Sequence, residues 1–378
     1  MNPTTRLSEL AKIRAATATV VSVYLNTRWA DQHQRDRVRV FLKGELRKAR
    51  EAGEAGDGPG LREDLAWIEG EGEALIAQAR VPDAGGVALF ACAALGLREL
   101  MPVRAPFADA FVVAPAPYLR PLAAAVATTE SALVVFVDAE SARLIPVRAN
   151  GAGEEVELQS DVPGHHKRGG WAQLAQSRYQ RHILDHRGRH FESVVEAVSQ
   201  LLDGDGIRRL VLAGEREPLA AFRKHLPGRI AAAVAGTVAG SRHEPAAALV
   251  ERATDLLARV HREEARQAVA ETLTEAAKGG KAIAGLEGTL EAVIRGTVHQ
   301  LYLLETFHEP GRACLACGGL QGGRERTCRR CPGTTASTEL GEAMVNRVLA
   351  TGGAVETIGE HAELARTGGL AARLRYPL

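Results

Sequence analysis

The sequence predicts a multidomain α/β protein, and three observations carry that expectation. The chain has 378 residues, enough for two or three domains at roughly 100–200 residues each. Short apolar runs rich in Val, Ile and Leu alternate with stretches of helical periodicity, the pattern of βαβ units. Four of the five cysteines fall within the 18 residues from Cys314 to Cys331, a metal-site pattern in a reducing compartment rather than a disulfide framework.

Each element follows from local pattern. Val20 to Leu25 (VVSVYL) reads as a strand and Arg35 to Ala52 as a basic amphipathic helix with Val38, Phe41, Leu42 and Leu46 on one face. A Gly-rich acidic loop from Gly53 to Gly60 leads to a second helix, Leu61 to Ala79. Short strands follow at Gly86–Cys92, Leu97–Val103 and Ala110–Val113. Ala132–Val137 and Arg143–Val147 form a hairpin turning around Asp138 to Ser141. Beyond it we expect a helix over Leu174–Leu202, a strand at Ile207–Leu212, a short helix at Pro218–His225 and a strand at Ile230–Val238. A long helix spans Ala246–Ala277, stopped by Gly279–Gly280. Then come a helix at Ile283–Val293, a strand at Gln300–Leu304, a helix at Leu340–Ala350, and strands at Val355–Ile358 and Ala371–Tyr376.

Composition excludes several classes. Net charge is +1, so any nucleic-acid contact depends on local clustering. No run of apolar residues is long enough for a membrane span, and Met1 to Lys12 has no signal-peptide core. Together with cysteine usage this predicts a cytoplasmic protein. Aromatic residues are 4% of the chain, so the cores must be aliphatic.

Two motifs carry chemistry. Cys314-x-x-Cys317 and Cys328-x-x-Cys331 offer four thiolates from two tight turns, the ligand set of a closed structural zinc site. Gly318, Gly319, Gly322 and Gly323 suit those turns, and Arg324, Arg326, Arg329 and Arg330 make the knob basic. Cys92, in an apolar strand, is expected to be inert core. The second motif is Gly164–His190, GHHKRGGWAQLAQSRYQRHILDHRGRH, with six Lys or Arg residues, five histidines and Asp185 as its one acid. His165, His166, Lys167, Arg168, Arg178 and Arg181 can face phosphates. Gly169 and Gly170 give a backbone free of side chains, and Trp171 can stack on a base. A solvated basic helix face, or a metal site on His182, His186 and His190, accounts for the same residues without RNA.

At these residues the chain resembles the archaeal and eukaryotic peptide release factors and their relative Pelota, within a bacterial branch that includes ribosome hibernation factors. The resemblance rests on His165-His166-Lys167-Arg168-Gly169-Gly170 with the Arg-rich helix after it, on the Ala132–Val147 hairpin, and on the C-terminal stretches Gly285–Leu304 and Gly368–Tyr376. It covers about residues 128 to 378. It implies an N-terminal α/β domain (1–127), a ribonuclease-H-like middle domain (128–270) and an α/β-sandwich C-terminal domain (271–378) with an inserted zinc knuckle at about 310–335. It also implies a ribosomal A-site ligand contacting rRNA, elongation factor Tu as a partner, and a monomer off the ribosome. The family's catalytic loop ends in Gly-Gly-Gln. Here Trp171 follows Gly170, and Gln173 stands two residues further on. The N-terminal region has no Asn-Ile-Lys-Ser stop-codon motif. The expectation is therefore a hibernation-type ribosome-binding factor without codon-directed release. The alternative is a peptidyl-tRNA hydrolase of ribosome rescue working through Gly169, Gly170, Trp171 and Gln173. Whether the protein is an enzyme stays open, leaning against, and a histidine-driven nuclease ranks last.

Overall fold

The computed structural model describes residues 3–14, 18–29, 31–53, 60–78, 84–128, 131–148, 151–159, 173–204 and 206–377. They fall into two compact units, Met1–Thr128 together with His261–Leu378, and Thr129–Val260 between them.

In the first unit, the N-terminal region builds an antiparallel sheet in the order Leu97–Val103, Gly86–Cys92, Val20–Asn26, Ala110–Ala114. Strand alternation sends Val21, Val23 and Leu25 to one face, where Val38, Leu42 and Leu46 of the Gln32–Gly53 helix and Leu65 and Ile68 of the Leu61–Ala77 helix cover them. Val20, Tyr24 and Phe90 go to the other face. A central strand buried on both sides needs an unbroken apolar sequence, which VVSVYL supplies. Its Ser22 hydroxyl is buried and accepts from the Tyr118 backbone N–H at 3.1 Å, and its Tyr24 hydroxyl donates to the Tyr118 carbonyl.

The C-terminal region of the same unit has a sheet ordered Ala282–Ala284, Leu370–Leu374, Val298–Leu304, Ala354–Ile358, the last pair parallel. Helices Leu286–Arg295 and Leu340–Ala350 pack on one face, and Val269 of the Ala246–Ala277 helix on the other. The second face of the N-terminal sheet and the first face of this one share a single core, in which Tyr24 and Phe90 join Leu301, Met344 and Val348. Polar contacts cross the same seam. Ser8 Oγ donates to Leu349 O at 3.0 Å, Asn346 Nδ2 to Pro117 O at 3.0 Å, and buried Arg120 to the carbonyls of Leu304, Glu305 and Phe307. Helices Pro3–Leu10 and Arg120–Thr128, absent from the sequence reading, line this seam.

The second unit holds a mixed sheet ordered Val234–Val238, Arg209–Ala213, Ala132–Val137, Ser141–Arg148, Gly151–Ala152, with Val156–Gln159 also paired to Ser141–Arg148. Numbered by sequence the main strands run 5-4-1-2-3, the first three of that list parallel, which is the ribonuclease-H-like arrangement. The hairpin forms as expected, its turn closed by Asp138 accepting from the backbone N–H groups of Glu140 (2.8 Å) and Ser141 (2.7 Å). The helix Gln173–Gly204 covers one face through Phe191, Val194 and Val198, and Leu249, Val250 and Ala253 cover the other.

Two elements differ from expectation. Residues 230–238 are not one strand: Gly228–Ala233 is helical and only Val234–Val238 extends. Three alanines have no strand alternation and favour helix. Ile283–Val293 is likewise split. Ala282–Ala284 is a strand, and Gly285, at φ +86°, turns the chain into a helix beginning at Leu286. No helix among the described residues is long and apolar enough to cross a membrane.

Candidate metal centre and basic segment

The four cysteines meet in a knob inserted between the Val298–Leu304 strand and the Leu340–Ala350 helix. Three short strands, Pro310–Cys314, Leu320–Gly322 and Thr335–Glu339, form its base in the order 2-1-3. Each Cys-x-x-Cys pair sits on a tight turn. In the first, the Cys314 N–H donates to Gly319 O at 2.8 Å and the Gly318 N–H to Cys314 O at 3.0 Å. In the second, the Cys328 N–H donates to Gly333 O at 3.0 Å. The sulfurs all lie within 4.8 Å of one another, with Cys314–Cys331 at 3.5 Å and Cys317–Cys328 at 3.7 Å. At a zinc–sulfur bond of about 2.3 Å, a regular tetrahedron places its sulfurs about 3.8 Å apart.

The surroundings also suit thiolates. The Cys317 N–H points at Cys314 Sγ (3.5 Å) and the Arg330 N–H at Cys328 Sγ (3.4 Å). The Cys317 N–H, with further help from Ala316, draws the Cys314 thiol down to about 6. Against a hydrogen bond from the Gly333 backbone, shared hydrogens with Cys314, Cys317 and Cys328 push Cys331 up to about 12. Four sulfurs so close cannot all be anions without a cation between them. The residues therefore fit a four-thiolate metal ion, and its closed ligand set leaves no position for a reacting water. Cys92 is fully buried in its strand, as expected.

Residues outside the cysteine pattern hold the knob. Gln321 is buried and clasps the second turn: its amide donates to Thr327 O (3.0 Å) and its carbonyl accepts from the Arg329 N–H (3.0 Å). Thr335 Oγ1 donates to Glu325 O at 2.8 Å. Gly318 (φ +66°) and Gly323 (φ +86°) are left-handed, as such turns need. Gly322 has open space where a Cβ would stand, so the geometry does not require it. Gly333, which the spacing did not single out, is required, because a Cβ there would lie 2.8 Å from Ala316 Cβ and 3.1 Å from Cys314 Sγ. No sequence signal distinguishes Gln321 or Gly333 from their neighbours, since their roles arise only when the two turns meet.

Of the basic segment, His165, His166, Lys167, Arg168, Gly169, Gly170 and Trp171 lie outside the described residues. Gln173, Arg178 and Arg181 fall on the Gln173–Gly204 helix, in its undescribed side-chain portion. Further along, Arg189 is exposed, Arg187 stacks on the Phe191 ring at 5.3 Å, and His190 is buried against the sheet, its imidazole held below its usual pKa by burial. His190 therefore belongs to the core and not to a histidine face. Among the described residues, the four cysteines are the one group able to hold a metal ion.

Comparison with known proteins bears on this middle region. Among solved structures, an archaeal translation termination factor is 18% identical, covering 99% of this chain and 97% of its own, with a TM-score of 0.27. Archaeoglobus fulgidus Pelota is 16% identical over 77% of this chain and 84% of its own, at 0.37. A ribosome-bound archaeal Pelota is 18% identical over 75% and 73%, at 0.42. No curated protein matches the chain. Residues 117–258 match the family described as bacterial archaeo-eukaryotic release factor family 10. That middle region is therefore similar to the bacterial branch of the archaeal and eukaryotic release factors.

Proposed function

We propose that this protein is a ribosome-binding translation factor that occupies the A site, in the manner of the Balon-like hibernation branch, without codon-directed peptide release. The observation that carries the reading is Trp171 directly after Gly169-Gly170, inside the region that matches the release-factor family. A Gly-Gly tip set among Lys167, Arg168, Arg178 and Arg181 keeps the means to enter an RNA site. The indole has no amide to orient a water at an ester.

In this reading the 128–270 region is directed at the large subunit. His165, His166 and the four cations meet rRNA, and Gly169, Gly170 and Trp171 form the tip. The 271–378 region carries the knob, whose ion is structural zinc on Cys314, Cys317, Cys328 and Cys331. The protein acts in the cytoplasm, is a monomer off the ribosome, and has elongation factor Tu as its delivery partner.

The retained Gly169-Gly170 pair favours one second reading, a peptidyl-tRNA hydrolase in which Gln173 or a loop amide positions water. Puromycin-free peptide release from ribosomes charged with peptidyl-tRNA separates the two. We expect no release above the uncatalysed rate. Release lost in Gly170→Ala would establish the hydrolase instead.

A further inference from the structure

The Leu340–Ala350 helix carries Arg347 in its last turn, and the segment after the Pro3–Leu10 helix carries Arg14. The two are close enough that the positive charge of Arg347, after the crowding of its surroundings, holds the Arg14 guanidinium below its usual pKa. Neither guanidinium meets a carboxylate among the described residues. Arg14 donates to the carbonyls of its own segment, Ala11 (3.0 Å) and Ile13 (2.7 Å). Arg347 Nε is buried and has no hydrogen-bond partner among them. A buried donor without a partner calls for a physical reason. A cation in a helix's last turn suits the helix dipole, but that does not account for a second guanidinium beside it.

Arg347 borders the first cysteine turn, and the Ser8–Leu349 hydrogen bond brings the segment that carries Arg14 to the same end of the Leu340–Ala350 helix. A Cβ placed on Gly318 would stand 3.7 Å from Arg347 Nη1, and one on Gly319 would stand 3.5 Å from Arg330 Cδ. The side-chain-free pair Gly318-Gly319 is thus flanked by Arg347 on one side and Arg330 on the other. Arg330 is exposed, and its nearest acid is Glu291, at 3.9 Å. On the same turn Leu315 is 73% exposed. Guanidinium forks match phosphate oxygens in pairs. An apolar tip on a zinc-type turn suits an unstacked base or a ribose better than it suits an acidic peptide.

We propose that the Cys314–Gly319 turn, with Arg14, Arg347 and Arg330, is a second RNA-backbone contact, carried by a different part of the chain from the Gly164–His190 segment. The inference deepens the ribosome-binding reading and rests on it for the choice of RNA as ligand. Phosphates placed between the guanidiniums relieve their mutual repulsion.

The test is anisotropy of a short fluorescein-labelled RNA stem-loop with the full-length zinc-loaded protein across a KCl series, beside co-sedimentation with ribosomes. Replacing two phosphate-contacting cations lowers the salt slope of log K by about 2. We expect that loss in R14Q/R347Q, retention of the slope in R14K/R347K, and unchanged zinc content in both. If R347Q does not fold, R14Q/R330Q, which touches two exposed residues, must show the same loss. A slope unchanged in a folded, zinc-loaded variant overturns the proposal. So does equal binding of a Glu-rich peptide, which would mark an acidic-protein site. Loss of the stem-loop slope in a protein that never pellets with ribosomes would keep this contact and remove the ribosomal reading. Pelleting with an unchanged slope would do the opposite.

Discussion

Arg120 donates to the carbonyls of Leu304, Glu305 (2.9 Å) and Phe307 (3.0 Å), and its Nη1 stands 3.5 Å from Glu342 Oε1. One buried guanidinium thus closes the end of a strand that belongs to the other end of the chain. Replacing it with Met leaves three carbonyls and a carboxylate without their cation, and should cost about 3–5 kcal/mol in chemical denaturation. Glu342 is the weaker partner. Burial, opposed by Arg120 and reinforced by the negative charge of Glu339, pushes its carboxyl up to about 7 from 4.5. The folded state therefore binds the proton more tightly than the unfolded chain. Stability from this group is fully present below about pH 4.5, falls as pH rises toward 7, and is lost above it, by at most about 3 kcal/mol. Glu342→Gln should accordingly raise the denaturation midpoint at pH 8 and leave it nearly unchanged at pH 5. Equal effects at both pH values would mean that Glu342 is ionised throughout. None of this was legible in the sequence, because Arg120 and Glu342 are 222 positions apart and belong to no recognisable motif.

At the scale of elements, the sequence was most informative where one periodicity runs unbroken. The Ala246–Ala277 and Leu340–Ala350 helices end where expected, and the Ala132–Val147 hairpin closes at Asp138. It failed where elements are short or rule-mixing. The knob's strands span three to five residues and have no alternation to read, yet they set the cysteine geometry. The cysteine spacing announced the ligands, while the support for them depends on tertiary approach. Gly333→Ala should therefore weaken metal retention against a chelator by about 10–100-fold, the usual range for a residue that positions ligands. Gly322→Ala, with open space around it, should behave as wild type. Cys328→Ser should remove the metal and lower the melting temperature of the protein, read by metal analysis and calorimetry on one preparation. A knob that keeps both its metal and its melting temperature after Cys328→Ser would refute the four-thiolate assignment.

At the scale of the whole molecule, the first and last stretches of chain share one core while the middle unit has its own. The sequence marked Val20–Leu25 as a strand, but not that both its faces are buried or what lies over the second. A fragment of residues 1–128 should expose Tyr24 and Phe90 and fail to give a cooperative transition. A fragment of residues 129–260 should unfold cooperatively alone. Cooperative unfolding of the 1–128 fragment would show that the shared core is dispensable. The central claim concerns the molecule's partner, and one measurement reaches it most directly: co-sedimentation with ribosomes over a salt series, with peptidyl-tRNA followed in the same tubes. The account predicts salt-sensitive pelleting that weakens in R178Q/R181Q and leaves the peptidyl ester intact. Failure to pellet at low salt, or peptide release that Gly170→Ala abolishes, would contradict it.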